Sequence, residues 1–361
     1  MKKAYFLSLF LFIVSIAVAQ EKTELKWWNP ADSEFPVVAG QAWTGETNSI
    51  YHRLPKRMES KVRKPVWGLS KHSAGLSIRF WSNAPNIHIK YKVKGNVSMP
   101  HMPATGVSGV DLYSKNEHGE WLRSWGSYNI NKESSYKFTI DEKSEAYKKY
   151  GREYQLFLPL YNEVEVLEIG VSSNSFVKPM PIRNEKPIVA YGTSICQGAC
   201  ASRPGMAWTS ILERKLERPF VNLGFSGNGR LEPEIIDLLT EIDAKLYILD
   251  CLPNLSPQRD NTHQLVVNAV KQIRVKRPKT PIILTEHIGY ANEFTNKVSQ
   301  VKYQTLNNAM QSAFEELKSD GYTNIFVLSK NDMNLQPDSY VDYIHPSDLG
   351  MMEYELLRYI G

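Results

Sequence analysis

The feature that most limits what this chain can fold into is a change of rhythm near residue 182. Before it, apolar and polar residues alternate with the period of half-buried strands; after it, short continuous apolar runs are separated by longer helical segments. Asn86 to Lys94 sets the first pattern, with Ile87, Ile89, Tyr91 and Val93 on one face and His88, Lys90, Lys92 and Lys94 on the other. Ser77–Trp81, Trp121–Trp125, Tyr136–Ile140, Tyr154–Leu158 and Val164–Val171 read similarly, and turn-forming clusters such as Asn116-Glu117-His118-Gly119 part some of them. Helical signals are few here, Glu142–Lys149 being one short candidate. This spacing predicts an N-terminal β-sandwich over residues 20–181.

Past the polar, proline-bearing stretch Pro179–Pro187, the runs Ile188–Tyr191, Phe220–Leu223, Leu246–Asp250, Ile282–Thr285 and Ile325–Leu328 read as buried parallel strands. Helices are expected between them at Ala207–Leu216, Pro233–Thr240, Thr262–Val275 and Val301–Leu317, with a last one over Asp348–Tyr359. Strands joined by crossover helices make a doubly wound α/β domain of residues 182–361, whose ligands bind beyond the carboxyl ends of the strands.

The first 19 residues have the form of a secretory signal peptide: a basic start at Lys2-Lys3, an apolar run Phe6–Val18 and small residues Ala17-Val18-Ala19 at the cleavage position. The expected product is exported, periplasmic or secreted, without membrane insertion. Removing Lys2 and Lys3 lowers the formal net charge from +5 to +3, a balance that singles out neither nucleic acid nor an acidic membrane surface as a partner. Three cysteines, Cys196, Cys200 and Cys251, are too few for a disulfide-built scaffold and lack zinc-site spacing, so no metal is expected.

The residues able to do chemistry fall where the sheet would present them. Gly192-Thr193-Ser194 follows the first parallel strand, the glycine-rich turn Gly224-Phe225-Ser226-Gly227 the second, and Cys251-Leu252-Pro253-Asn254 the third. Asp342-Tyr343-Ile344-His345 precedes the last helix. Acyl transfer needs this set: a hydroxyl, an imidazole to take its proton, a carboxylate to orient the imidazole, and N–H donors for an oxyanion. Each residue also has a plainer reading. Ser194 can be a capping hydroxyl, Gly227 and Asn254 turn residues, His345 a surface histidine, and Asp342 a local turn acceptor. Arg203 and His287 lie near the same edge as candidate substrate contacts or as fold-holding groups; His101 reads as a loop residue. Trp27, Trp28, Trp43, Trp67 and Trp81 are either core or a sugar-stacking surface.

The four blocks, in this order, resemble the SGNH (GDSL-type) hydrolase superfamily. The resemblance runs over Pro187–Gly361 and implies Ser194 as nucleophile, the Ser194 and Gly227 N–H groups and the Asn254 amide as oxyanion donors, and Asp342 with His345 as the acid–base pair. Gly109-Val110-Asp111-Leu112-Tyr113 is similar to the GxDLY signature of an N-terminal domain joined to such hydrolases in secreted bacterial proteins. Two blocks depart from the pattern: Gly-Thr-Ser stands for Gly-Asp-Ser, and Cys-Leu-Pro-Asn-Leu for Gly-x-Asn-Asp. The activity implied is a cofactor-free serine esterase, with short acyl groups, acetyl above all, on a glycan or small-molecule alcohol as the expected substrate. A lipid-ester hydrolase and an inactive glycan-binding protein are the alternatives. In a flavodoxin-like strand order the first and third parallel strands are neighbours, which predicts a Cys200–Cys251 disulfide with Cys196 free.

Overall fold

The computed structural model describes residues 24–140 and 142–354, so the expected signal peptide and the end of the expected helix Asp348–Tyr359 lie outside the described residues. The first half is a sandwich of two antiparallel sheets. One contains the strand Asn86–Val93 between Val164–Ser172 and Glu133–Thr139; the other sets Ser77–Ser82 beside Arg152–Phe157. The alternation of Asn86–Val93 becomes a burial alternation: Ile87, Ile89, Tyr91 and Val93 face the core, where they meet Ile78, Phe80, Leu112 and Leu156 from the opposing sheet. Asp111–Lys115, the core of the GxDLY stretch, pairs with Arg152–Phe157. The expected Trp121–Trp125 strand splits into Trp121–Arg123 and Gly126–Asn129, which join different sheets.

The second half carries five parallel strands in which Ile188–Gly192 lies between Phe220–Gly224 and Leu246–Asp250, followed by Ile282–Thr285 and Ile325–Leu328. This is the flavodoxin-like order. The first three strands are buried along their whole length, as continuous apolar runs covered on both faces require. The helices Trp208–Leu216, Pro233–Leu239, Thr262–Lys276 and Lys297–Ser319 supply the cover.

One segment of the first half belongs physically to the second. The helix Lys64–Ser70 and residues Trp43, Leu54 and Met58 pack in one cluster with Val221, Leu223 and Leu249 of the parallel sheet, not in the sandwich core. Their spacing gave little warning, because the partners they bury against lie in the other half of the chain. Arg53, wholly buried, donates to the carbonyls of Asn222 at 3.2 Å and Gly224 at 2.8 Å, on the sheet's Phe220–Gly224 edge. It also donates to Leu69 at 2.7 Å and His72 at 2.8 Å. A bare sheet edge exposes unpaired carbonyls; here one guanidinium satisfies two of them and fastens the two halves together.

Candidate active site

At the carboxyl end of Ile188–Gly192 the chain turns into the short helix Ser194–Gln197. Thr193 is its N-cap, its hydroxyl accepting from the Ile195 N–H at 3.3 Å, a bond at the long end of the range. Threonine therefore takes over here the capping that an aspartate could supply at this position. Ser194 is the first helical residue, so its N–H has no partner within the helix and is free to bind an anion. Its Oγ lies 2.9 Å from His345 Nε2, and His345 Nδ1 lies 2.8 Å from Asp342 Oδ2.

The loop that carries His345 is held by its own carboxylate. Asp342 Oδ1 accepts from the N–H groups of Ile344 at 2.8 Å and His345 at 2.7 Å, while Val341 N–H donates to the His345 carbonyl at 2.9 Å. Partial burial pushes the Asp342 carboxyl up, but the bonds from the His345 ring and from the two backbone N–H groups outweigh it and keep it below the usual carboxylate range. Asp342 is thus both turn acceptor and orienter of the imidazole; the two readings are one geometry. A charged carboxylate on Nδ1 fixes the tautomer that leaves Nε2 free to accept the serine proton.

Gly227 has φ +70°, a conformation that favours glycine, and a Cβ built on it would meet nothing within 4 Å. Its N–H has no acceptor among the described residues. Asn254 Oδ1 accepts from Gly229 N–H at 3.1 Å, which fixes the amide and leaves Nδ2 as the donor. Ser226 N–H donates to Gln197 Oε1 at 3.0 Å, so the glycine-rich turn is pinned to the helix Ser194–Gln197.

Other expected contacts fall elsewhere. His287 is fully buried, with its ring against Tyr290 and Tyr303, and its Nδ1 accepts from Gly289 N–H at 3.0 Å. Burial pulls its pKa down to about 3, so it is a neutral core residue and not a substrate contact. Arg203 is paired with Asp111 and donates to Tyr113 Oη at 2.6 Å. Asp111, almost wholly buried, also takes Arg123 Nε at 3.1 Å and Gly205 N–H at 3.2 Å, so the GxDLY aspartate and tyrosine clamp the segment after the nucleophile. The clamp engages Arg203 through Nη1.

The Cys200–Cys251 disulfide is not formed: all three thiols are free and buried. The strands are neighbours as expected, but the side chains diverge. Cys251 Sγ packs under the sheet, 3.5 Å from the Tyr191 carbonyl, and Cys200 Sγ sits in the cleft, 3.2 Å from the His101 carbonyl. Neighbouring loops place two Cα atoms in the same region without making their Cβ vectors converge. Nor is there a single tryptophan platform, since Trp43 and Trp67 are core residues while Trp81 lies exposed on the sandwich.

Sequence reasoning missed what the first half brings to the site. Tyr161 Oη donates to the Ser194 carbonyl at 3.3 Å, and Gln197 Nε2 bonds Leu160 O at 3.0 Å and His72 Nδ1 at 3.2 Å. Gly106 lies so close to the Ala201 carbonyl that a Cβ would sit 2.2 Å from it, and Thr105 Oγ1 donates to Ser202 O at 2.6 Å. The loop so docked carries His101, whose ring stacks on His345 at 5.7 Å between centroids. The only local signal for that loop was its prolines.

Comparison with known proteins accords with this geometry. Residues 185–358 match the model of the GDSL-like lipase/acylhydrolase family, and residues 25–177 match the GxDLY model, the N-terminus of SGNH-hydrolase-type esterases. A solved structure of a GDSL-like lipase from Bacteroides ovatus is 32% identical, with TM-score 0.82 over 93% of this chain and 96% of that one. The chain belongs to the GDSL-like lipase/acylhydrolase family. It is a carboxylic ester hydrolase of that family, with the GxDLY domain in front. More distant structures share the fold. A salicylyl-acyltransferase from a tetracycline biosynthetic pathway is 17% identical, with TM-score 0.71 over 91% of this chain and 94% of that one. An acetyl xylan esterase from the rumen bacterium Butyrivibrio proteoclasticus is 9% identical, with TM-score 0.56 over 93% and 97%. No curated protein sequence matches the chain.

Proposed function

We propose that this GDSL-family hydrolase is an exported serine esterase that removes short acyl groups, acetyl above all, from carbohydrate alcohols through an acyl-enzyme on Ser194. The observation that carries the serine route is the relay of 2.9 Å from Ser194 Oγ to His345 Nε2 and 2.8 Å from His345 Nδ1 to Asp342. Ser194 Oγ attacks the ester carbonyl carbon while His345 takes its proton. The carbonyl oxygen gains the negative charge and is received by the N–H groups of Ser194 and Gly227 and by Asn254 Nδ2. Collapse expels the alkoxide, which leaves as alcohol with the proton from His345. Water repeats the sequence on the acyl-enzyme and frees the acid. No cofactor enters these steps.

Support for a short acyl group on a sugar is of a different kind. The groups that the first half sets beside the site are polar and aromatic: Tyr161 donates to the Ser194 carbonyl and the His101 ring stacks on His345. A cavity of about 940 Å³ on the sandwich is lined by Trp81, Tyr150, Asn116 and Arg152, an aromatic and polar mixture suited to a sugar chain. The acetyl xylan esterase named above shares the fold. Each methylene buried in an apolar channel would favour a longer chain by about 0.8 kcal/mol. The measurement is kcat/KM over acetate, butyrate, octanoate and palmitate esters, with acetate release from acetylated polysaccharide. A falling series with acetate release is the expected outcome; efficiency rising to octanoate would establish the lipid-ester reading instead. An unreactive protein that still binds glycan would make it an inactive lectin-like member.

A further inference from the structure

His101, Cys200, Asp342 and His345 each offer a ligand atom, and these atoms all lie within 4.8 Å of one another. Two imidazoles, a thiol and a carboxylate are the donor set of zinc and its thiophilic neighbours. With Zn–N near 2.0 Å and Zn–S near 2.3 Å, tetrahedral donors stand about 3.3–3.8 Å apart, so the cluster needs to close by roughly an ångström, within the reach of side-chain rotation. The backbone around it is already set for this. Cys200 holds φ +67°, an unusual conformation for a residue with a Cβ, and its buried sulfur lies beside His101, Asp342 and His345. His101 stands exposed at the tip of a loop closed by paired Met99–Met102 bonds of 3.1 Å, with Met102 buried as its anchor. The sulfur and the His101 carbonyl are already in contact at 3.2 Å.

We propose that these four residues form an inhibitory site for a thiophilic divalent cation such as Zn²⁺, built across the boundary of the two halves and directly on the catalytic base. On binding, the Cys200 thiol gives its proton to solvent and its sulfur bonds the metal in place of the His101 carbonyl. The His101 ring supplies a nitrogen from the sandwich side. His345 binds through Nδ1, which already faces Asp342 Oδ2 at 2.8 Å, and its one ring proton moves to Nε2, toward Ser194 Oγ. Asp342, which already orients that ring, completes the set. An imidazole bound through Nδ1, with its proton on Nε2, cannot accept the serine proton, so the esterase stops while the cation is held. Release restores it without covalent change.

The test uses the full chain after chelator treatment and dialysis, with Zn²⁺ and Co²⁺ chlorides as probes. Zn²⁺ should suppress acetate-ester turnover of the wild type. His101→Ala and Cys200→Ala, each measured against its own metal-free rate, should need about 100-fold more metal for half-inhibition, since a lost ligand costs at least what a lost outer partner does. Co²⁺ should give a thiolate-to-cobalt absorption band in the wild type and in Ser194→Ala, but not in Cys200→Ala. That band is independent of turnover, so it separates failure of this site from failure of the esterase reading on which only the inhibition arm rests. If Cys200→Ala does not fold, the exposed His101→Ala still decides by weakening the band. Equal inhibition of the wild type and both variants, or no thiolate band in the wild type and Ser194→Ala, overturns the proposal.

Discussion

At the scale of single residues, the proposed mechanism makes Ser194 and His345 one unit, so their separate loss should look alike. Ser194→Ala and His345→Ala are each expected to lower kcat by about 10³-fold or more with the protein still folded, read by steady-state kinetics beside circular dichroism. Asn254→Ala removes one of the three proposed oxyanion donors and should cost about 10²-fold. An unchanged rate there would show that the departed Cys-Leu-Pro-Asn block supplies no donor, despite the bond that fixes its amide. Another residue, Asp250, bears on stability. It is wholly buried at the end of its strand, with Oδ1 accepting from Tyr354 Oη at 3.0 Å and Oδ2 without a partner among the described residues. Burial pushes its pKa up to about 7, the Tyr354 bond opposing. The folded chain therefore keeps this proton up to about pH 7 while the unfolded chain releases it near 4, so the carboxyl withdraws stability as pH rises through that window. Asp250→Asn does not titrate. Relative to wild type it should gain on the order of 2–3 kcal/mol between pH 5 and pH 8, measured as the difference in unfolding free energy at the two pH values.

At the scale of elements, local rules that act over a few residues made much of the fold legible beforehand. Strand Asn86–Val93 was visible because a sandwich face must alternate, and Leu246–Asp250 because a buried parallel strand must not. The helix Lys64–Ser70 was not visible. It is short, begins at Lys64-Pro65 and buries Val66 and Trp67 against the other half of the chain, so no periodicity within its own neighbourhood announces it. The short helix of the nucleophile rests on a cap that the sequence showed only as a missing aspartate. Thr193→Val keeps the shape and removes the hydroxyl. It should cost about 1 kcal/mol of stability, read by denaturant unfolding, and a larger fraction of kcat than of KM. The bond is long, at 3.3 Å, and an unaltered unfolding midpoint would show it to be idle.

At the scale of the whole molecule, the two halves are one mechanical body because polar groups buried between them have partners across the boundary. Arg53 is the clearest case. Burial pulls its guanidinium down to about 10, which still leaves it charged at neutral pH, and its donors meet four carbonyls from both halves. Arg53→Met would fill the volume but orphan those carbonyls. A loss of about 3 kcal/mol or more is expected, with the two halves unfolding in separate transitions by calorimetry. A single transition at the wild-type Tm would mean water replaces the guanidinium freely.

Sequence by itself determined the class of each half, the order of the parallel strands' carriers and the residues able to do acyl chemistry. Those follow from rules with short range: a period of two or an unbroken apolar run, a capping hydroxyl, a glycine where φ is positive, an aspartate three residues before a histidine. Tertiary structure alone decided where side chains separated by a hundred residues or more would point. It turned Cys200 into the cleft and Cys251 beneath the sheet, spent Arg203 on Asp111, sealed His287 in the core, and laid His101 of the first half on His345 of the second. Each of these depends on which surfaces the two halves bury against each other, and that choice is set by the sum of many weak contacts and close approaches such as Gly106 on Ala201, none of which leaves a periodic trace in the chain.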